Sequence, residues 1–240
     1  MLDIKKNIKL LLFKKNLKIK KIYIQKDYNQ TAPRIELLQK MVKCSGILHL
    51  GAHRGSEAGV YEYFGKKVIW VEANPKIFLD LKINLKKYIF QKPYCQLLNN
   101  KDNILVNFNI SNNDGASSSI FKFEKLSTGK KSIWKKKNLK MINSIKLKTL
   151  TLDTFIKINK IDIKKYNHWV VDVQGAELNV LEGSANNLKY CKSILIEVSK
   201  GDIYKNGSQW IDVLKFLKKN NFKPLWKIQN KHQDILFVRN

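Results

Sequence analysis

The residue types that could do chemistry begin with a loop, Gly51-Ala-His-Arg-Gly55, and a carboxylate, Glu72, about twenty residues beyond its first glycine. A flexible loop that lets backbone come close to a ligand, followed at that distance by an acid, is a device for holding a sugar diol. Gly51 and Gly55 remove the side chains that would block such an approach. Backbone N–H groups at the start of a following helix can bind polar ligand atoms, and Glu72 can accept hydrogen bonds from ribose hydroxyls.

The surrounding sequence says which elements must position these groups. The apolar run Ile47–Leu50 leads into the loop. Ser56 to Phe64 carries Ala58, Tyr61 and Phe64 at helical spacing, and Gly65 closes it. A second apolar run, Val68–Val71, ends at Glu72. Strand, glycine loop, helix, strand and carboxylate make a right-handed βαβ unit with a nucleotide site at its carboxyl edge. The alternation implies a mostly parallel sheet with helices on both faces. The loop is not GxGxxG, so the close approach a pyrophosphate requires is missing. S-adenosylmethionine, which has no phosphate, is favoured over a nicotinamide or flavin dinucleotide; a βαβ unit that binds nothing is the third reading.

Further along, Arg34–Lys43 and Lys76–Tyr88 read as helices, the second after Pro75, which suits a first helical turn. Tyr94–Leu98 reads as the third strand, followed by Asn99 and Asn100 where an adenine contact or a simple turn is expected. Ile104–Ile110 alternates as a strand. Ser111 to Ile120 is a loop by composition, and its hydroxyls, Ser117, Ser118 and Ser119 among them, could equally face a polyhydroxyl substrate. Lys122–Lys148, with Trp134 isolated in it, reads as an insertion or lid. Thr149–Ile158 enters a short helix. Trp169–Val173 is a compact strand running into Asp172-Val-Gln-Gly, with a helix from Ala176. Ile194–Val198 is another strand, with Glu197 inside it. Trp210–Asn220 is an amphipathic helix, and Pro224–Ile228 with Ile235–Val238 make a C-terminal hairpin.

Composition sets bounds. At 240 residues the chain suits one large α/β domain. No apolar run is long enough to span a membrane. Cys44, Cys95 and Cys191 are scattered, as expected of reduced thiols in a cytoplasmic protein. The formal charge of +27 comes almost wholly from lysine, with arginine only at Arg34, Arg54 and Arg239. Co-enrichment of lysine, isoleucine and asparagine points to compositional drift; a polyanion or membrane partner is the alternative. Residues 1–26 carry nine lysines and apolar residues near helical spacing. That segment reads as a helix packed on the domain, as a loose arm with its lysines in water, or as a basic amphipathic contact with an anionic membrane. His49, His53, His168 and His232 have no metal-ligand spacing, and no metal is expected; His168 and His232 read as surface or packing residues.

Taken together, GAHRG (51–55), WVEANP (70–75), NNDGASSS (112–119), TLD (151–153), DVQGAEL (172–178), VLEG (180–183) and IEVS (196–199) followed by Tyr204 resemble the FkbM family of S-adenosylmethionine-dependent methyltransferases. The resemblance runs from about Gly46 to the C-terminus. It implies a class I methyltransferase (Rossmann-like) α/β fold: a seven-stranded, mostly parallel sheet with a C-terminal antiparallel hairpin. The catalytic domain would span 44–240, behind a basic, helical N-terminal extension at 1–43. It implies O-methyl transfer, typically to a sugar hydroxyl on a glycan or glycoconjugate. Gly51, His53, Gly55, Glu72 and Asn74 would line the cofactor and Asn100 would lie near adenine. Asp172, at the end of strand four, would face the reaction centre as general base, with Ser117, Ser118, Ser119, Gln174, Glu197 and Tyr204 toward the acceptor. Asp172 has a competing role as a cap for the Ala176 helix. Two positions depart from the family pattern: His49 replaces an acidic residue, and Asn221-Phe222 replaces Gly-Phe. The competing functions are a nucleic-acid methyltransferase and a non-catalytic polyanion- or membrane-binding module. A [DN]PP[YF] motif, usual in amino-methylating enzymes acting on nucleic acid, is replaced here by DVQG, so no specific nucleic-acid partner is expected. Location is expected to be cytoplasmic, peripheral at a membrane if residues 1–26 engage one.

Overall fold

A computed structural model describes residues 31–124, 138–201 and 203–240. The basic segment 1–26 lies outside the described residues, as does Trp134 with the centre of the expected insertion. The compact unit that carries the sheet runs from Glu36 to Asn240.

A helix, α1 (Thr31–Lys43), precedes the first strand. Then follow β1 (Gly46–Leu50), α2 (Ala58–Tyr63), β2 (Lys67–Glu72), α3 (Pro75–Leu85) and β3 (Gln91–Cys95). After these come β4 (Leu97–Leu98), β5 (Leu105–Ser111), β6 (Met141–Leu150), α4 (Leu152–Ile158), β7 (His168–Val171) and α5 (Glu177–Glu182). The chain closes with β8 (Ser193–Ser199), α6 (Trp210–Lys219), β9 (Phe222–Pro224) and β10 (His232–Arg239). Seven strands form one sheet in the order β3-β2-β1-β7-β8-β10-β9. The pairs from β3 to β8 are parallel, and β10 is antiparallel to both its neighbours. This is the class I methyltransferase sheet.

The strands near the centre are apolar on both faces because helices cover both. Alternate residues divide between two cores. Leu48, Leu50, Ile69, Val71, Trp169 and Ile196 belong to one, with Phe155, Leu181 and Leu217 from the helices. Ile47, Val68, Trp70 and Val170 belong to the other, with Tyr61 and Leu81. The order also brings the carboxyl ends of β1, β2 and β7 side by side, where the chain reverses direction across the sheet. In open α/β sheets that is where ligands bind.

Four expectations are corrected. The third strand of the main sheet is Gln91–Cys95, not Tyr94–Leu98. Lys92 and Pro93 hide its pattern, and an edge strand tolerates a proline. Its first residue is fixed by burial: the Gln91 amide accepts from Trp70 Nε1 (3.0 Å) and donates to the Ala58 carbonyl (2.9 Å). The chain then leaves that sheet at Gln96, and Leu97–Leu98 joins a second sheet, in the order β4-β6-β5. Much of the expected lid is regular structure: Met141–Leu150 is a ten-residue strand antiparallel to β5. In the C-terminal hairpin the first strand is Phe222–Pro224 rather than Pro224–Ile228. Beyond Leu225, Trp226 turns away to donate to Glu36 (2.6 Å). Finally, α2 and α3 stop short of their apolar periodicity: Tyr88 N–H reaches only the Leu85 carbonyl, so α3 ends in a tight turn.

Candidate active site

The first wall of the cleft is the loop after β1. Gly51 has φ +84° and its N–H donates to the Val71 carbonyl (2.9 Å). A Cβ built on Gly51 would lie 1.7 Å from the carbonyl oxygen of Asp172. The glycine is therefore required by the crossing of the β1 and β7 loops, not only by a ligand's approach. Gly55 has a different neighbour again: its Cβ would meet Leu81 Cδ1 at 2.8 Å, so it lets α3 pack closely and does not line the cleft.

Glu72 ends β2 and is buried at the cleft wall. One carboxylate oxygen accepts from the His53 N–H (2.8 Å), the other from the Asn74 N–H (2.7 Å). Burial pushes this carboxyl up, while those two N–H groups pull against the shift. Asn74 caps α3 through its side chain, accepting from the Lys76 N–H (3.1 Å), and does not line the cleft. His53 does line it, with its ring Nε2 3.0 Å from the Asp114 carbonyl oxygen. His49, in the place of the family's acid, stacks on Trp70 with ring centroids 4.6 Å apart and sits 3.2 Å from the Tyr61 hydroxyl. Burial holds its imidazole toward the neutral form.

The floor is the loop after β7. Asp172 donates its N–H to the Leu50 carbonyl (2.9 Å) and lines the cleft. It does not cap the next helix. That helix has no side-chain cap at Ala176; Glu177, its first residue, reaches back into the loop, its Oε1 accepting from the N–H groups of Val173 (3.2 Å) and Gly175 (3.0 Å). Gln174, at φ +55°, is the hub. Its amide nitrogen donates to Asp172 Oδ1 (2.5 Å) and to Glu197 Oε2 (2.8 Å), and its amide oxygen accepts from the Tyr204 hydroxyl (2.6 Å). The other oxygen of Glu197 lies 2.8 Å from His232 Nε2. His232 is therefore a member of this network and not a simple surface or packing residue. His168, by contrast, packs in the interior: Nδ1 contacts Ser193 Oγ at 2.7 Å and burial lowers its pKa to about 3. Desolvation first, and the Glu197 and Asp234 charges next, raise Asp172 well above the ordinary carboxylate range. Glu197 is raised well above its ordinary value by burial and then by Glu177 and Asp234.

The roof is the loop 111–120. Its serines are spent mostly on folding it. Ser117 Oγ accepts from Asn113 Nδ2 (3.0 Å), Ser118 Oγ from the Ser111 N–H (3.1 Å), and Ser119 Oγ donates to the Gln174 carbonyl (2.6 Å). Of the three, only Ser118 lines the cleft. Tyr204 reaches the same loop, with its hydroxyl 3.3 Å from the Ser117 carbonyl oxygen. The roof is clamped to the first wall by an ion pair between Arg54 and Asp114, while Arg54 Nε also holds Asp80 at 2.9 Å. Leu98 and Phe108 form an apolar side wall. Asn100 does not lie there: it stands outside the cleft lining and donates to Glu182 (2.9 Å).

Of the residues expected at the site, the fold thus gathers Gly51, His53, Glu72, Ser118, Asp172 and Gln174 at the cleft. It sets Glu197 and Tyr204 one hydrogen bond behind Gln174. Gly55, Asn74, Asn100, Ser117 and Ser119 lie off the lining. Sequence reasoning missed the Arg54–Asp114 clamp, the cleft-lining Glu57 and the Glu197–His232 pair. Arg54 carried a signal, being one of three arginines among many lysines. Among the described residues no group of three or more His, Cys, Asp or Glu side chains could hold a metal ion.

A family model for the methyltransferase FkbM domain matches residues 49–224. No curated protein is a significant sequence match. Similar solved structures include magnesium protoporphyrin IX methyltransferase of Synechocystis PCC 6803 with bound SAM, at 10% identity and a TM-score of 0.43, covering 91% of this chain and 86% of that one. Fibrillarin of Aeropyrum pernix with S-adenosyl-L-methionine is 14% identical with a TM-score of 0.46, over 84% and 72% of the two chains. Precorrin-6y C5,15-methyltransferase of Geobacter metallireducens GS-15 is 10% identical with a TM-score of 0.44, over 90% and 91%.

Proposed function

The chain belongs to the FkbM methyltransferase family and is an S-adenosylmethionine-dependent methyltransferase; from that premise we propose that it methylates a sugar hydroxyl of a glycan or glycoconjugate, with Asp172 as general base. The cleft suits the cofactor. Each oxygen of Glu72 accepts one backbone N–H and keeps a lone pair for a ribose hydroxyl. The apolar wall of Leu98 and Phe108 suits adenine, and the acids Glu57, Glu72 and Asp172 along the lining suit a positive sulfonium. The bound cofactor supplies a transferable methyl group.

The observation that carries the reading is the setting of Asp172. Asp172 lines the cleft, and its carboxylate is not used as a helix cap and is held in place by the Gln174 amide. A sugar hydroxyl is a weak nucleophile until its proton is leaving, and a positioned carboxylate can take that proton. Burial and the neighbouring acids raise the affinity of Asp172 for a proton, so it serves as base from its deprotonated form, which rising pH favours. The amide of Gln174 donates to both Asp172 and Glu197, and Tyr204 fixes which way the amide points. In-line transfer depends on alignment, so this support behind Asp172 bears on rate as well as on stability.

The test is mass spectrometry of a panel of sugar acceptors incubated with the cofactor and either wild type or Asp172→Asn, beside calorimetry of cofactor binding. Wild type should add one methyl to a hydroxyl. The variant should bind the cofactor about as well and turn over about a hundred-fold or more slowly. Near-normal turnover in the variant would remove Asp172 from the role, and methylation confined to amines or nucleic acid would remove the sugar.

A further inference from the structure

Helix α3 buries Ile77, Leu81 and Leu85 against the sheet, and these follow one another at i, i+4 and i+8. The opposite face is not polar, as a solvent face should be. Leu79 and Ile83, also four apart, are 59% and 61% exposed, and the turn that follows exposes Ile89 (85%) and Phe90 (57%). Around them stand Lys76, Lys82, Lys86, Lys87 and Lys92, all exposed. Lys67 Nζ also lies 5.9 Å from the Phe90 ring. Across residues 75–95 the only acid is Asp80, and its carboxylate is committed to Arg54. We propose that the outer face of α3 and the 86–90 turn dock this protein on an anionic lipid surface.

The chemistry selects that partner. Four large apolar side chains ringed by lysines match an interface of acyl chains below and anionic headgroups around; the lysine stems can lie along the apolar surface while their ammonium groups reach the headgroups. The core of a protein–protein contact is depleted of lysine. A nucleic-acid contact would use arginine and aromatic stacking; residues 75–95 contain no arginine, and the neighbouring Arg54 is held by Asp80 and Asp114. Compositional drift accounts for the number of lysines and isoleucines but not for the grouping of Leu79, Ile83, Ile89 and Phe90 on one exposed face among them. Among the described residues no helix is long and apolar enough to cross a membrane, so the contact is peripheral.

The test uses the full chain and sedimentation with phosphatidylcholine vesicles, with or without about 30% phosphatidylserine. Wild type should sediment only with the anionic vesicles and be released by high salt. Leu79→Gln/Ile83→Gln and Lys82→Gln/Lys86→Gln/Lys87→Gln should each weaken partitioning about ten-fold or more. These positions are exposed, and unchanged circular dichroism and thermal melting would confirm that the fold is kept. A control, Ile142→Gln/Lys146→Gln/Lys148→Gln on the exposed β6 strand, should bind within about two-fold of wild type. The proposal is overturned if wild type stays in solution, if the α3 variants bind as wild type does, or if the β6 control loses as much. Loss in the α3 variants of RNA or protein binding, with no vesicle binding in wild type, would also overturn it.

Discussion

Two loops at the carboxyl edge of the sheet solve the same problem in the same way and end in different roles. Around the loop after β1, two backbone N–H groups, of His53 in that loop and of Asn74 just past β2, are received by Glu72. After β7, two backbone N–H groups, of Val173 and Gly175, are received by Glu177. Both acids are buried and both are pushed upward by desolvation, Glu177 to about 7. They differ in where the carboxylate ends. Glu72 uses one N–H per oxygen and borders the cleft. Glu177 takes both N–H groups on one oxygen and does not line it. A buried acid with a perturbed pKa is thus not by itself a functional residue; what decides is whether lone pairs remain that a ligand can reach.

The two loops also touch, and that contact is the strongest way to test whether they form one unit. The Cβ of Gly51→Ala would lie 1.7 Å from the Asp172 carbonyl oxygen and 2.6 Å from its carbon, at a φ of +84°. Neither backbone can yield without moving a central strand. Strain and overpacking together predict a loss of about 4 kcal/mol or more, read as a large drop in the denaturant midpoint. Gly55→Ala meets only the end of the Leu81 side chain, at 2.8 Å, and should cost about 1–2 kcal/mol, mainly for its φ of +69°. Equal losses at the two positions would mean that the crossing of the loops is not what demands Gly51.

Next in size is the exchange of each acid for its amide. In Glu72→Gln one of two backbone donors would face an NH2 group in place of an acceptor, and the charge toward the ribose would be gone. Cofactor affinity by calorimetry should fall about ten- to a hundred-fold. Glu177→Gln keeps the one oxygen that accepts both N–H groups, so affinity should change by less than about two-fold. Its effect lies in pH-dependent stability. A glutamate raised in the folded state from 4.5 to about 7 stabilises the fold below the lower value, and that contribution is lost as pH rises through the upper one. Denaturant unfolding of wild type should therefore weaken between those two values. Glu177→Gln should flatten that part of the curve and be more stable than wild type at alkaline pH, by as much as roughly 3 kcal/mol. If both amides lowered affinity equally, the distinction between the two loops would collapse.

The first loop was legible in sequence because its parts are local: two apolar runs, a glycine loop and a carboxylate within one βαβ unit. The second was legible only in part. Asp172 follows a compact strand, but its support comes from strands that become neighbours through the sheet order. Glu197 on β8 meets His232 because β10 inserts beside β8, antiparallel, and no spacing in the chain announces that. Glu177 could have been read more fully, since the N–H groups it receives lie only two and four residues before it. The serines of 117–119 show the opposite limit. Composition cannot say whether a hydroxyl faces a ligand or its own loop, and here most bond the loop or its neighbour.

The smallest expected effect tests the placement of adenine. Reading the third strand as Tyr94–Leu98 put Asn99 and Asn100 at its carboxyl end, where a base contact is expected. The strand in fact ends at Cys95, opposite Glu72 in register, and the chain crosses to the other sheet at Leu97. The position at the strand's end therefore belongs to Gln96 and Leu97, and with Leu98 these line the cleft. Asn99 turns instead to Asn179, which donates to its side chain (2.9 Å), and Asn100 donates to Glu182 at the surface (2.9 Å). Asn100→Ala should leave cofactor affinity within about two-fold and remove only an exposed hydrogen bond, within about 0.5 kcal/mol of stability. Leu98→Ala, which opens the apolar wall itself, should weaken binding more than Asn100→Ala does. The reverse order in calorimetry would return adenine to the asparagines and mean that the wall of Leu98 and Phe108 serves another part of the ligand.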